Sequence, residues 1–265
     1  MDTLKIAQAY IRTGLLTLVF GVLLGGCATL DSDSPDTGVK AISSEELANP
    51  DPFESFNRSI YKFNVGFDNA IGKPVARGYV KYMPAPVRTS VTNFFNNLWE
   101  PSSIINAILQ GKAQKAADSS GRFIINSTLG VLGLFDVASA IGIPVHQEDL
   151  GQTLAVWGVG DGPYLMLPFL GPANVRDTTG LVTEFFTTDM LPVLFQGSEG
   201  WALWGLRLID SRASVLGLEE VLEFQVDPYL FLRESYIQSR LIQINDGVLQ
   251  PGVEEDPFEE ELFAE

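Results

Sequence analysis

The chain has one cysteine, Cys27, and its position at the end of a short apolar segment gives its thiol a specific chemistry. Lys5 and Arg12 precede this segment, and residues 14–26 are apolar or small apart from one threonine. A basic start, an apolar middle and small residues before the cleavage point are the layout of a secretory signal peptide. We therefore predict that residues 1–26 are a signal peptide.

The residues just before the thiol suggest that it is acylated. Leu24-Gly25-Gly26-Cys27 resembles the lipobox of bacterial lipoproteins, in which the cysteine is lipidated and the chain is cut before it. The alternative is an accidental or buried cysteine behind an ordinary signal peptide. We expect covalent lipid on Cys27 and no other cofactor. The next residue, Ala28 rather than aspartate, resembles lipoproteins that are sent to the outer membrane.

The same segment is too short for a transmembrane helix. About 14 residues lie between Arg12 and Cys27, which is roughly 21 Å of helix. A bilayer core needs about 20 apolar residues, or about 30 Å.

A second group of side chains that could do chemistry surrounds the only histidine. His146 lies near Glu148 and Asp149, a combination that suggests a metal site or a general base. There is no second histidine to complete a metal site, and the glycine-rich residues 158–163 lack the lysine and hydroxyl residue of a phosphate-binding loop. We predict no metal and no enzymatic activity, and we interpret the group as a helix cap or surface cluster.

The net charge of −16 excludes one class of partner. Nucleic-acid binding needs clustered Lys and Arg, so no nucleic acid is expected. Residues 246–265 are predicted to be an acidic disordered tail, with a docking strip for a basic partner as the alternative. Residues 27–50, rich in Asp, Ser and Pro, are predicted to be a lipidated tether to the folded part.

Amphipathic helices are predicted to make up the folded domain, residues 51–245. Asp51-Pro52 and Asp227-Pro228 have the chemistry of helix starts. A helix beginning near Pro101 is predicted to be separate from the one that begins at Pro86. No sustained alternation of apolar and polar residues is present, so a sheet is improbable and the fold class is all-α. The apolar stripes are Phe53, Phe56, Ile60, Phe63 and Phe67; Val75, Tyr79 and Met83; Val87, Val91, Phe94, Phe95 and Leu98; Ile104, Ile105, Ile108 and Leu109 (predicted to be buried); Trp201, Trp204 and Leu208; and Tyr229, Leu232, Tyr236 and Leu241.

The middle of the chain has a different composition. Residues 129–145 are almost uncharged and contain glycines, and residues 150–172 combine apolar residues with many Gly and Pro. Glycine and proline at this density break helices. One interpretation is the buried hub of a globular core. The other is an apolar hairpin and a glycine-rich loop that together line a passage for lipid.

Several strings resemble the MlaA (VacJ) family of outer-membrane lipoproteins. They run in the family's order from about residue 51 to 240, and two local departures are Leu150 and Ala155. The matching residues include Asp51-Pro52-Phe53-Glu54-Ser55-Phe56-Asn57-Arg58; Arg122-Phe123, Asn126, Gly130, Gly133 and Asp136; Gly151-Gln152-Thr153-Leu154; Gly158-Val159-Gly160; Gly162-Pro163-Tyr164; Arg176-Asp177; and Asp227-Pro228-Tyr229.

This resemblance implies a ring-like bundle of amphipathic helices around a central channel, at the periplasmic face of the outer membrane. It also implies removal of mislocalised phospholipid from the outer leaflet, work with a trimeric porin, and delivery to a soluble periplasmic phospholipid-binding protein. Outer-membrane lipid asymmetry would thereby be maintained. The rival functions are a structural or scaffolding envelope lipoprotein and, less favoured, an envelope hydrolase acting through His146 and Glu148.

Six residues are candidates for the channel or lipid path. Phe63 and Asn64 are candidates for governing the opening, with core packing as the alternative for Phe63. Lys73 and Arg176 are candidates for meeting a phosphate, and an ion pair with Asp177 is the alternative for Arg176. Gly130 and Gly133 belong to the apolar hairpin.

Overall fold

The computed structural model describes residues 51–195 and 197–247. Cys27, the predicted signal peptide and tether, and the acidic tail beyond residue 247 therefore lie outside the described residues. The described helices are α1 (Glu54–Phe67), α2 (Lys73–Tyr82), α3 (Ala85–Leu109), α4 (Ala113–Thr128), α5 (Val137–Ala140), α6 (Leu150–Val156), α7 (Val175–Thr187), α8 (Met190–Leu194), α9 (Ser198–Ser214), α10 (Glu219–Glu223) and α11 (Pro228–Ile244). A π-helical turn, Asp68–Gly72, joins α1 to α2, and a 3₁₀ turn, Leu216–Leu218, precedes α10.

The all-α prediction is confirmed, but the expectation of no sheet is wrong. Strands β1 (Tyr164–Leu167) and β2 (Gly171–Asn174) form a small antiparallel hairpin within the glycine-rich segment. Four-residue strands are too short to show a convincing alternation in sequence. The hairpin depends on α1, because Asn64 donates to the carbonyl of Leu167 at 2.9 Å and accepts from the amide of Phe169 at 2.9 Å.

Helix α3 is continuous through Pro101, so the prediction of two separate helices is wrong. A proline removes only one backbone hydrogen bond, and packing against α4 keeps the helix intact. The expected burial of Ile105, Ile108 and Leu109 is also wrong, because all three are exposed. The buried face of this helix is polar, with Ser102, Ser103 and Asn106 pointing inward.

Polar side chains inside and apolar side chains outside are also found in the rest of the described chain. Its buried residues comprise 18 polar or charged side chains and 11 apolar ones, so the interior is held mainly by hydrogen bonds and ion pairs. The predicted phenylalanine stripe of α1 is largely exposed, with Phe56 at 60% and Phe63 at 48%. Buried polar groups beneath an apolar exterior suit a protein with much of its surface in an apolar medium. No described helix is both long and apolar enough to cross a bilayer.

One of the two predicted helix caps is observed. Asp227 accepts hydrogen bonds from the amides of Tyr229 and Leu230 at the start of α11. Helix α1 begins at Glu54, and Asp51 acts in the turn just before it, where its carboxylate accepts from the backbone amide of Phe53 at 2.9 Å. The same carboxylate is buried and accepts from the Asn57 side-chain amide at 3.0 Å and from the Tyr229 hydroxyl, because α11 lies close to the start of α1.

Candidate functional site

A cavity lined mainly by polar residues has a volume of about 390 Å³, within the range of about 300–1,000 Å³ typical of small-molecule sites. Helices α3, α9 and α11 and the residues around the start of α6 surround it, so parts of the chain far apart in sequence form one site. The lining residues are Thr92, Phe95, Asn96, Trp99, Gln147, Asp149, Gln152, Arg207, Asp210, Ser211, Ser214, Arg240 and Gln243.

Arg240 stabilises one wall of this cavity. Its two terminal nitrogens donate to the Asp149 carboxylate at 2.6 Å each, and its Nε lies 2.7 Å from Asp177 Oδ2. This guanidinium lowers the pKa of Asp149, against the opposing effect of burial. The paired geometry holds α11 against the start of α6, where Asp149 also caps the helix through the Gln152 amide at 2.9 Å.

Helix α9 contributes a cation and an anion to the cavity lining, about one helical turn apart. Arg207 donates to Asp189 at 3.0 Å, and its guanidinium carbon lies 5.3 Å from the centre of the Trp99 ring. Asp210 is buried and accepts from the hydroxyls of Tyr79 at 2.9 Å and Thr92 at 2.7 Å. Burial and then the bond to Asp210 raise the pKa of Tyr79 to about 12, so the phenol stays protonated and donates.

A second cavity, of about 330 Å³, shares three glutamines with the first: Gln147, Gln152 and Gln243. Gln152 donates to the carbonyl of Gln147 at 2.8 Å, and Arg240 donates to the Gln243 side chain at 3.0 Å. Uncharged glutamine side chains therefore line the two cavities where the cavities adjoin. Their hydrogen bonds connect them to Arg240 and to the residues around the start of α6.

The loop after α4 presents a run of exposed apolar side chains. Leu129 and Leu132 are 70% and 69% exposed, and Val131 and Phe135 are also exposed. Val131 and Leu132 have φ angles of 52° and 58°, a left-handed conformation that is costly for such residues. The loop keeps this shape because the amide of Gly133 bonds to the carbonyl of Asn126 at 2.8 Å.

A buried ionic network supports this loop from below. Arg122 bonds to Glu100 at 2.8 Å and to both oxygens of Asp136 at 3.1 Å. Burial alone would raise the pKa of Asp136, but hydrogen bonds from Ser139, Asn126 and Arg122 outweigh it and lower that pKa to about 2. Asp136 therefore remains charged and fixes the two ends of the loop together.

Comparison with known proteins agrees with this architecture. The family model described as MlaA lipoprotein matches residues 49–243. The chain belongs to the MlaA lipoprotein family.

Named relatives extend the match over most of the chain. The chain is 34% identical over 252 residues to the intermembrane phospholipid transport system lipoprotein MlaA of Haemophilus influenzae, covering 93% of this chain and 96% of that protein. It is 34% identical over 233 residues to the Escherichia coli protein of the same name, covering 86% and 87%. A solved structure from work on the structural basis for maintenance of bacterial outer membrane lipid asymmetry has a TM-score of 0.67 and 35% identity, covering 74% of this chain and 100% of its own.

None of the six predicted lipid-path residues lines the larger cavity of this MlaA-family chain. Phe63 is exposed and contacts the Phe169 ring at a centroid distance of 5.3 Å, and the Asn64 side chain is hydrogen-bonded to the β-hairpin. Lys73 is paired with Glu219 at 2.8 Å. Their roles in a lipid path stay predictions.

The two glycines have structural reasons to be glycine in this family's fold. A Cβ on Gly130 would lie 2.2 Å from the Phe135 carbonyl oxygen, and one on Gly133 would lie 2.4 Å from Asn97 Cβ. Gly133 also has a φ of 87°. Both positions therefore keep the tight turn of the exposed apolar loop.

Arg176 is buried and ion-paired, as the alternative interpretation expected. Its Nε contacts Asp177 at 3.0 Å, and its Nη1 contacts Asp161. With two carboxylates beside it, this guanidinium has no excess charge to offer a phosphate, so the phosphate role stays a prediction.

The His146 group does not come together as a site. The His146 ring contacts Asp118 at 3.0 Å, Glu148 is bonded to Lys115 at 2.5 Å, and Asp149 caps α6. Within residues 51–195 and 197–247, no three His, Cys, Asp or Glu side chains are placed to hold a metal ion.

The middle segment is only partly the buried hub of the first interpretation: Leu154, Tyr164 and Met166 are buried, and the last two form a hydrophobic core cluster with Tyr229. Leu129, Leu132, Phe135, Trp157 and Phe169 are all exposed, because polar networks fill the interior of this MlaA-family fold. Of the segment's residues only Gln152 lines the larger cavity, so the lipid passage stays a prediction, and the exposed residues form exterior apolar surface.

Sequence reasoning missed the residues that do line the cavity. Arg207, Asp210 and Trp99 have no neighbouring motif, and Arg240 was visible only as a basic residue within an apolar stripe. No local signal marked Asp210, which lies two residues from Leu208 and therefore on the side of α9 opposite the apolar stripe. Only long-range contacts bring these groups together.

Glu184 should make stability depend on pH. Burial raises the pKa of this carboxyl to about 7, and the nearby Asp149 charge adds to the shift, despite bonds from Ser102 and Asn106. The stabilising contribution of the raised pKa is present below about pH 4.5 and is lost as pH rises through 7. We therefore compare the free energy of unfolding of Glu184→Gln with that of the native protein at two pH values. We expect the difference to shift in favour of the variant by about 3 kcal/mol from pH 5 to pH 8.

Urea unfolding at these two pH values measures this change. Glu199→Gln, at an exposed carboxylate in the first turn of α9, is the control and should show little pH-dependent difference. An equal difference from the native protein at both pH values would show that Glu184 does not titrate in this range.

Proposed function

We propose that this protein is an outer-membrane lipoprotein that removes phospholipid mislocalised to the outer leaflet and passes it toward the periplasm, thereby maintaining lipid asymmetry. Covalent lipid on Cys27 anchors it to the periplasmic face. A trimeric porin and a soluble periplasmic phospholipid-binding protein are its partners, and no reaction is catalysed. Membership of the family supports this proposal, as do relatives named for intermembrane phospholipid transport.

The observation that carries the proposal is a polar cavity in a protein with an apolar exterior. A phospholipid has a polar headgroup and apolar tails, so its transfer needs a polar route beside surface that apolar tails can contact. The cavity lined by Asp149, Arg207, Asp210 and Arg240 supplies the first, and the exposed loop 129–135 supplies surface of the second kind.

Filling the cavity should block transport without removing the protein. Ser211 lies on α9 and lines the cavity, so Ser211→Trp places a large ring where a headgroup would pass. In cells that lack the native gene, we expect this variant to leave phospholipid in the outer leaflet and to cause detergent sensitivity. Outer-leaflet phospholipid is measured by surface labelling and lipid extraction.

Two further variants make the result specific. Gln114→Trp adds the same ring to an exposed position of α4 and should restore asymmetry as the native protein does. Cys27→Ser should abolish acylation and mislocalise the protein. Full activity of Ser211→Trp at normal protein level would favour the scaffolding alternative, in which the protein supports envelope partners without moving lipid.

A further inference from the structure

Asp210 is the one cavity-lining carboxylate without an ion pair among the described residues. Of the two aspartates that line the cavity, Asp149 is bound by Arg240. Asp210 is only 8% exposed, yet its carboxylate receives nothing but the hydroxyl groups of Tyr79 and Thr92. Two neutral hydroxyl groups compensate only part of the cost of a buried carboxylate, which is fully met when an opposite charge is paired with it, so Asp210 offers a place for an external cation.

The hydrogen bonds at Asp210 leave acceptor positions unused. Each carboxylate oxygen can accept about two hydrogen bonds. Oδ1 accepts from Tyr79 and Oδ2 accepts from Thr92, one bond each. An ammonium group carries up to three N–H donors and no acceptor, so it complements the remaining positions.

The charges around the cavity favour a cationic group. The residues that line the cavity or contact its lining residues include three guanidinium groups and four carboxylates. They are Arg88, Arg207 and Arg240, and Asp149, Asp177, Asp189 and Asp210. Arg88 lies one turn before Thr92 and lowers the pKa of Tyr79, but it forms no ion pair with Asp210. The surplus charge is negative, which disfavours a purely anionic ligand.

A phosphate subsite lies beside the ammonium subsite. Arg207 and Asp210 are three residues apart on α9, so their Cβ atoms are about 5–6 Å apart on one helix face. Among described residues, Arg207 makes one hydrogen bond, from Nη1 to Asp189, and its side chain is 30% exposed. Its other nitrogens can meet a phosphate separated from an ammonium by a two-carbon link.

We infer that this pair selects the headgroup of an aminophospholipid, with its ammonium at Asp210 and its phosphate at Arg207. This inference rests on the proposed transport function and deepens it by naming the lipid class. The cavity accommodates the headgroup, while the tails remain outside it against apolar protein surface or lipid. Phosphatidylglycerol has the same phosphate but no ammonium, so it makes only the Arg207 contact.

The test uses the full-length lipidated protein in detergent with equimolar phosphatidylethanolamine and phosphatidylglycerol. Bound lipid is extracted and quantified by mass spectrometry. We expect the native protein to enrich phosphatidylethanolamine and Asp210→Asn to reduce that enrichment about tenfold, because the amide has no charge. Asp118→Asn, the matched change at the partner of His146 outside the cavity, should keep the native ratio.

Phosphatidylcholine separates hydrogen bonding from charge. Its trimethylammonium group has the same charge but no N–H donor, so it should bind the native protein less well than phosphatidylethanolamine does. Equal binding of these two lipids would overturn the hydrogen-bonded assignment.

The failures of the two proposals are distinguishable. Native protein that binds both phosphatidylethanolamine and phosphatidylglycerol without preference, or an Asp210→Asn variant with the native ratio, overturns the inference and leaves the transport function standing. Equal loss of both lipids in Asp210→Asn also overturns it, because a structural defect has no headgroup preference. Native protein that binds no phospholipid contradicts both proposals.

Discussion

Arg122→Met is expected to lower the free energy of unfolding by about 3–5 kcal/mol. Arg122 is only 3% exposed and joins three parts of the chain. Its guanidinium bonds to Glu100 on α3, to Asp136 after the apolar loop, and to the carbonyl of Ile143 at 3.0 Å. Methionine replaces the aliphatic stem of arginine but has no donors and no charge, so it leaves two carboxylates without their cation.

The greater cost falls on Glu100. This residue is 4% exposed, and burial already raises its pKa despite the Arg122 bond. Without the guanidinium, Glu100 must either take up a proton or remain as an uncompensated buried anion. Asp136 would also lose part of the support that fixes the loop.

Denaturant unfolding monitored by circular dichroism measures this effect. Arg77→Met is the matched control, because Arg77 contacts Glu219 at 3.2 Å with a guanidinium side chain that is 63% exposed. Such a surface pair contributes about 0–1 kcal/mol. Equal stability losses in the two variants would show that the buried network contributes no more than a surface ion pair does.

Leu129→Asp combined with Leu132→Asp is expected to reduce membrane partitioning at least 100-fold. The two leucines are the most exposed aliphatic residues of the loop after α4. Burying one leucine side chain in an apolar phase contributes about 1.5–3 kcal/mol, and every 1.4 kcal/mol corresponds to a tenfold change. An aspartate at each position also brings a charge that must stay in water.

The fold should tolerate these two substitutions. Both side chains point away from the protein, and Leu132 has a φ of 58°, a conformation in which aspartate is more common than leucine. Loss of partitioning would therefore report contact with lipid rather than unfolding. Unchanged circular dichroism spectra and melting temperature check this point.

The measurement uses protein that starts at residue 28, so that neither the predicted signal peptide nor the lipid on Cys27 can conceal the effect. Cosedimentation with vesicles of zwitterionic phosphatidylcholine, which carry no net charge, avoids repulsion from the negative net charge of the chain. Gln114→Asp with Ala117→Asp adds the same two charges to exposed positions of α4 and should leave partitioning nearly unchanged. Partitioning of the leucine variant equal to that of this control would show that the loop does not enter lipid.

The helical content could be predicted from local signals. Aspartate–proline pairs mark helix starts, and α1, α2, α9 and α11 follow apolar stripes with helical spacing, because helix formation depends on neighbours three and four residues apart. The sequence motifs that resemble the MlaA family predicted that the chain belongs to it, and the comparison with the family model shows this. The lipidated Cys27, the tether and the acidic tail lie outside the described residues and stay predictions.

Which face of a helix is buried was decided only by tertiary structure. The stripe of Ile105, Ile108 and Leu109 is as apolar as that of a core helix, yet Ser102 and Asn106 on the other face are the buried ones. An apolar stripe shows that two faces differ but not which medium each one meets. In water the apolar face turns inward, and beside lipid it can remain outside.

The cavity likewise depended on contacts that no local pattern records. Tyr79 reaches Asp210 across 131 residues, Thr92 reaches it across 118, and Arg240 reaches Asp149 across 91. The residue types were present in the sequence, but a hydrogen bond depends on distance and direction in space. The sequence alone therefore determined the helices and the family, whereas the tertiary structure decided which polar groups meet.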